Sequence, residues 1–160
     1  MPCAGAISRA NLHSLLTGLG WQKAKVEILE PDEIAKLLDK AEGPYRLAFK
    51  ACILAGLRAG ELCGLQWEDM DWNSGQIHVR RSLWHGQLQT PKSSHSVRRV
   101  DLSSQLIGDF KKWKLACPIS ENNLLFPSPE GKPPSDHDIL VKRHFSAALR
   151  RAGLRHVPFS

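Results

Sequence analysis

The sequence has a single tyrosine in 160 residues, Tyr45, and only two methionines. Chemistry that needs a tyrosine therefore has one candidate in this chain, and Tyr45 lies on an apolar stretch with Leu47 and Ala51, where a ring is expected to pack. No apolar run approaches the ~20 residues of a membrane-spanning helix, so no membrane partner is expected. The four cysteines, Cys3, Cys52, Cys63 and Cys117, include no close pair of the kind that holds zinc or cycles a disulfide. Cys52 and Cys63 sit among apolar helical residues and read as small core side chains. The seven histidines show no metal-ligand spacing, and no metal or other cofactor is expected. No signal-peptide pattern is seen, and the expected compartment is a reducing cytoplasm. Internal repeats and low-complexity tracts are lacking too.

Acid is missing from one long stretch. Residues 76–100 contain Arg80, Arg81, Lys92, Arg98 and Arg99, with His78, His85 and His95, and no Asp or Glu. The acids gather elsewhere, at Glu27, Glu30, Asp32 and Glu33 and again at Glu61, Glu68, Asp69 and Asp71. With a formal charge of +6, this segregation predicts a basic face, and a basic face favours a polyanion such as nucleic acid. Otherwise the composition, 42% hydrophobic and 24% charged, is that of an ordinary globular domain.

The periodicity predicts mainly helices with one small sheet. Pro31, Asp32 and Glu33 open a helix whose apolar face carries Ile34, Leu37, Leu38 and Ala41. Gly43-Pro44 starts a second, with Leu47, Ala51, Leu54 and Ala55 inward and Gly56 as its C-terminal cap. A short helix is expected from about Gly60 to Leu65. Alternation then takes over. Ile77 and Val79 mark a strand, His85-Gly86 a hairpin with Leu88 and Thr90 on the return, and 97–102 a third strand. These are expected to form a three-stranded antiparallel sheet with a basic exposed face. Ser103 or Ser104 caps a helix through Leu106, Phe110 and Trp113 that ends at Cys117-Pro118. A proline-rich loop follows, and a last helix opens at Ser135 or Asp136, with Val141, Phe145, Ala148 and Ala152 as its apolar stripe and Gly153 as its cap. The fold class is α+β.

Arg58 stands out because it lies in a glycine-flanked turn, Gly56-Leu57-Arg58-Ala59-Gly60, between two apolar helical stretches. That place suits an anion better than a core. Lys92, 34 residues later, sits in a serine-rich turn between strand-like segments. Together they point to chemistry on a phosphate. Glu61 follows Arg58 by three residues, close to one helical turn, and is placed to orient it. Arg80, Arg81, Arg98 and Arg99 are candidates for contacts to a nucleic-acid backbone.

The run Leu54-Ala55-Gly56-Leu57-Arg58-Ala59-Gly60-Glu61-Leu62, followed by Leu65, Trp67, Asp69 and Asp71, resembles the first catalytic box of the tyrosine recombinases, or phage integrases. Thr90-Pro91-Lys92-Ser93-Ser94-His95-Ser96-Val97-Arg98-Arg99-Val100-Asp101-Leu102 resembles the family's hairpin that carries a catalytic lysine. The likeness covers about residues 27–159. It implies cutting and rejoining of double-stranded DNA through a 3′-phosphotyrosyl link, without metal. It implies Arg58 as a clamp on the phosphate and Lys92 as general acid to the departing 5′ oxygen. It also admits other recombinase protomers as partners.

The family pattern continues past the hairpin with a His-x-x-Arg box, a further His or Trp, and a late tyrosine, and beyond residue 102 this sequence has no His-x-x-Arg and no tyrosine. Residues 27–160 are therefore expected to form a partial tyrosine-recombinase catalytic domain, with residues 1–26 as a lead-in or the remnant of a preceding DNA-binding domain. Such a piece is expected to bind DNA without cleaving it, and to leave Val141, Phe145 and Leu149 partly uncovered. The alternative is a non-catalytic DNA-binding or regulatory module derived from a recombinase. An RNA-binding protein is the weaker third reading, since no usual RNA-binding motif is present.

Overall fold

Helix α1, Pro31–Lys40, begins where the sequence places proline and two acids at a helix start. Glu33 Oε2 accepts the Glu30 backbone N–H at 2.9 Å, which satisfies one of the donors a helix start leaves open. The structure, a computed structural model, describes residues 27–89, 97–120, 122–134 and 140–159. The expectations for residues 1–26, for the Pro91–Ser96 turn with Lys92 and His95, for Thr90, and for the helix start at Ser135 or Asp136 fall outside these residues.

Helix α2, Pro44–Ala55, buries Ala48, Phe49, Ala51 and Ala55 and ends at Gly56, whose φ of 60° and ψ of 37° close the helix in the left-handed region. Helix α3, Ala59–Gly64, follows after the two-residue bend Leu57-Arg58 and buries Ala59, Leu62 and Cys63. A 3-10 turn, Trp67–Asp69, leads into strand β1, Met70–Asp71. Strand β2, Gln76–Val79, alternates as expected, with Ile77 and Val79 buried. Strands β3, Ser82–Trp84, and β4, Gln87–Gln89, are joined by His85-Gly86, and strand β5 is Arg98–Asp101.

The sheet has three antiparallel strands, but they are not the three the alternation suggests. Its order is β1-β2-β5, with Ile77 opposite Met70 on one side and Val100 on the other. The strand through Leu88 pairs with β3 instead, Leu88 opposite Leu83, in a separate hairpin. The His85-Gly86 turn has φ of 47° and 74°, the paired positive values that match the twist of a tight hairpin. Two causes separate this hairpin from the sheet. Arg80 and Arg81 carry the chain out of the β2 ladder, and β3 then lies on the backbone of α3. A Cβ at Gly60 would stand 3.1 Å from the Leu83 carbonyl oxygen, and one at Gly64 would stand 3.0 Å from Ser82 Cα. A side chain at either position would push the strand backbone away by a few tenths of an ångström, so glycine favours this close crossing. Two-residue β1 is too short to leave an alternating pattern in the sequence.

Helix α4, Ser104–Ala116, is capped by Ser103, which accepts the Leu106 N–H at 3.3 Å, and it buries Leu106 and Phe110. The Trp113 indole N–H donates to the Leu125 carbonyl at 2.6 Å, so α4 grips the extended segment that carries buried Leu124 and Leu125. That segment also bonds back to the end of α3, through Leu125 N–H to the Leu65 carbonyl at 2.9 Å. Residues Leu140–Phe145 form a π-helical turn that runs into helix α5, Ser146–Arg151. Gly153, at φ 66°, lets Leu154 N–H return to the Leu149 carbonyl at 3.0 Å.

The chain then folds back over the core, and this corrects the expectation that Phe145 and Leu149 are left partly uncovered. Phe159 stands edge-on to Phe145 at 4.7 Å and to Phe49 at 6.1 Å, and both Phe145 and Leu149 are buried, with Val141 half-buried. Arg155 fixes this return by donating to Glu33 of α1 and, at 2.6 Å, to the Ile28 carbonyl. Tyr45 packs as expected, its ring stacked on His144 at 3.5 Å and 12°. Burial raises the pKa of its hydroxyl, against the field of Arg143.

The glycine seam makes a testable contrast. Gly64→Ala is expected to cost about 1–3 kcal/mol, because three backbone atoms of the Arg81-Ser82 segment must move. Gly108→Ala in α4 meets nothing within 4 Å and is expected to gain up to about 1 kcal/mol from helix propensity. Urea unfolding midpoints at equal slope check both signs.

Candidate functional site

The bend that carries Arg58 is held from below by its neighbours. Leu57 and Ala59 are buried on either side, so the residue between them must point outward. The Arg58 side chain is 77% exposed, and its backbone is extended, at φ −75° and ψ 154°. The guanidinium is therefore accessible while the backbone beneath it is fixed.

Glu61, in the first turn of α3, is the fixing group. Its Oε2 accepts the Arg58 backbone N–H at 2.9 Å, and its Oε1 lies 3.3 Å from Arg58 Nη1. The same carboxylate takes both ends of a second guanidinium. Arg98 Nη1 donates to Oε1 and Nη2 to Oε2, each at 2.8 Å. Arg98 Nη2 also donates to the Gly56 carbonyl at 3.2 Å. The Glu61 side chain is only 12% exposed. Burial opposes its charge, but the Arg98 hydrogen bonds, the Arg58 N–H and the fields of both guanidiniums outweigh burial and hold its carboxyl below the ordinary range. The Arg98 guanidinium is pushed up in turn, first by its hydrogen bond to Glu61. Among the described residues two cations and one anion meet here, which leaves one positive charge unbalanced, presented by the exposed member, Arg58.

The other expected phosphate contacts divide into two groups. Arg80 and Arg81 face acids. Arg80 Nε donates to Asp69 Oδ1 at 2.8 Å, and Arg81 Nη2 donates to Glu68 Oε1 at 2.8 Å. Asp69 is fully buried and also accepts the Gln66 N–H through Oδ2 at 2.8 Å. This acid pair belongs to the 3-10 turn before β1, so the acid-free strand is balanced from outside its own run. Arg99, by contrast, is exposed on β5, whose residues alternate between half-buried and exposed. The structure brings Arg58, Glu61 and Arg98 together, sets Arg80 and Arg81 against Glu68 and Asp69, and leaves Lys92 outside the described residues. The Arg98–Glu61 pair was not foreseen. A lone carboxylate three residues after the arginine was its only signal.

The Phage integrase family profile matches residues 27–159, and the chain belongs to that family. The ICEBs1 integrase of Bacillus subtilis (strain 168) is 33% identical over 101 residues, which cover 59% of this chain and 27% of that protein. The prophage integrase IntR of Escherichia coli (strain K12) is 33% identical over 114 residues, 67% of this chain and 28% of that protein. This chain thus spans under a third of the length of these curated relatives. Among solved structures, XerA recombinase aligns with a TM-score of 0.63 at 20% identity, over 86% of this chain and 46% of its own. The Tn1549 transposon integrase in complex with circular intermediate DNA aligns at 0.65 and 19% identity, over 92% of this chain and 65% of its own. These likenesses show the fold, an α+β tyrosine-recombinase catalytic domain in part. Among the described residues no helix is long and apolar enough to cross a membrane.

The Glu61 carboxyl gives a pH test. Its pKa is lowered from 4.5 in the folded chain, so its stabilising contribution is full above about 4.5 and is lost as pH falls through the lower folded value. Urea midpoints measured from pH 6 downward are expected to fall less steeply below about pH 4.5 for Glu61→Gln than for the wild type.

Proposed function

We propose that this chain supplies the phosphate-gripping part of a DNA strand-exchange enzyme. In the longer protein the reaction is integration or site-specific recombination through a 3′-phosphotyrosyl intermediate. The observation that carries this reading is Arg58, an exposed guanidinium on a backbone tied down by Glu61. A planar fork that stays charged can hold two non-bridging oxygens of one phosphodiester. As a tyrosine attacks phosphorus, negative charge grows on those oxygens, and a donor already in place offsets it without reorganising. Loss of one such donor typically costs about 10²–10³ in rate. Lys92 has the complementary role, giving a proton to the 5′ oxygen as its bond to phosphorus breaks. Arg99 suits a contact to the DNA backbone that adds affinity without reading sequence.

A second reading keeps DNA binding and removes the chemistry. Tyr45 favours it for the chain taken alone, because the sequence's single tyrosine is stacked against His144. On this reading the chain occupies double-stranded DNA, or sits beside intact recombinase protomers, as a regulatory module.

Titration of DNA binding against salt tests the common part. The chain is expected to bind duplex DNA with a strong salt dependence, and Arg58→Ala is expected to lower the slope of log K against log salt by about 0.9, one phosphate contact. Unchanged affinity and slope in that variant would end the clamp proposal. A nicked suicide substrate tests the packing role of Tyr45. No covalent adduct is expected from the chain alone, and an adduct that is lost in Tyr45→Phe would overturn that role.

A further inference from the structure

Arg98 and Arg99 are adjacent on β5 and differ in burial and in the face they occupy. Successive side chains of a strand point to opposite faces. On β5 the half-buried residues are Arg98 and Val100, and the exposed ones are Arg99 and Asp101. Val100 lies opposite Ile77, the buried centre of the sheet, so Arg98 projects from the core-facing side. From there its guanidinium reaches both Glu61 oxygens at 2.8 Å and the Gly56 carbonyl at 3.2 Å. Gly56 closes α2 and Glu61 lies in the first turn of α3. A single side chain therefore fastens the last residue before the bend and the first turn after it, and Arg58 is the second of the two residues between.

We propose that Arg98 is a positioning residue that holds the Arg58 bend in the shape that presents its guanidinium to an anion, and is not a phosphate contact itself. The proposal rests on the reading of Arg58 as the phosphate grip. Three of the five Arg98 N–H donors are committed to acceptors on the protein, and a phosphate could take the pair that grips the carboxylate only by releasing Glu61. Glu61 is mostly buried and would then stand without its bidentate partner, a state that costs far more than an exposed ion pair gains. The planar fork is essential. A lysine ammonium keeps the charge but cannot bridge two carboxylate oxygens and a carbonyl in one plane.

That difference makes Arg98→Lys the informative variant. If Arg98 touched phosphate, lysine would serve nearly as well, since a point charge still neutralises a phosphate. Because Arg98 braces the bend, Arg98→Lys is expected to weaken duplex binding to within about threefold of Arg58→Ala, and the double variant to bind no more weakly than Arg58→Ala alone. Amide hydrogen exchange gives a readout that does not depend on DNA. The Arg58 N–H, bonded to Glu61, is expected to exchange at least about tenfold faster in Arg98→Lys while the Phe110 amide in the core keeps its protection. Arg98→Gln repeats the measurement with a planar group of smaller reach, should the lysine variant not fold. Wild-type affinity in Arg98→Lys, or losses that multiply in the double variant, would overturn the proposal. Unchanged Arg58 exchange would do so as well. If Arg58→Ala leaves DNA binding intact, the clamp reading fails by itself, and the exchange data still decide whether Arg98 braces the bend.

Discussion

The Glu61 carboxylate is the group on which the geometry of the site depends. It accepts the Arg58 backbone N–H, lies beside the Arg58 guanidinium, and takes both arms of Arg98. It joins the bend between two helices to the first strand residue after residues 90–96, elements far apart in sequence. Charge alone would not produce this. Exposed ion pairs are weak, but a mostly buried carboxylate with several charge-assisted donors has few other arrangements that satisfy it. The result is an asymmetric trio in which one cation is spent on the protein and the other faces solvent.

The second acid cluster follows the same physics with the opposite outcome. Asp69 is fully buried and bonded to Arg80, with Glu68 and Arg81 beside it. Here the cations are matched by acids and little positive charge is left over. Among the described residues of the stretch between 76 and 100, the four arginines therefore do not share one role. Arg80 and Arg81 secure the point where the chain leaves the sheet, Arg98 secures the bend, and Arg99 stands exposed on β5 with no ion pair among the described residues.

Much of the fold was readable because its signals are local. Proline and acids at α1, glycine after α2, Ser103 before α4 and alternation through Ile77 and Val79 each act within a few residues of themselves, and each appears where it was expected. The bend at Arg58 was legible for the same reason. What escaped was long-range. The partner of β2 could not be told from alternation, since β4 and β5 offered similar patterns, and the deciding contact was Gly60 and Gly64 against Ser82 and Leu83. The partner of Glu61 lies 37 residues downstream on a strand, among arginines that look equivalent in sequence. The covering of Phe145 by Phe159 depends on a chain reversal at Gly153 and on Arg155 reaching α1.

Gly60 belongs to two structures at once, the crossing of β3 over α3 and the short link between Arg58 and Glu61. This couples the spacing of the link to the orientation of the helix. One residue inserted between Gly56 and Gly60 and taken up by the helix rather than the bend would turn α3 by about 100° about its axis. Both glycines would leave the contact with the hairpin, and side chains would replace them. The length of the link is therefore fixed by strand-on-helix contact as firmly as by any demand of chemistry, and homologues should vary in its residues well before they vary in its count.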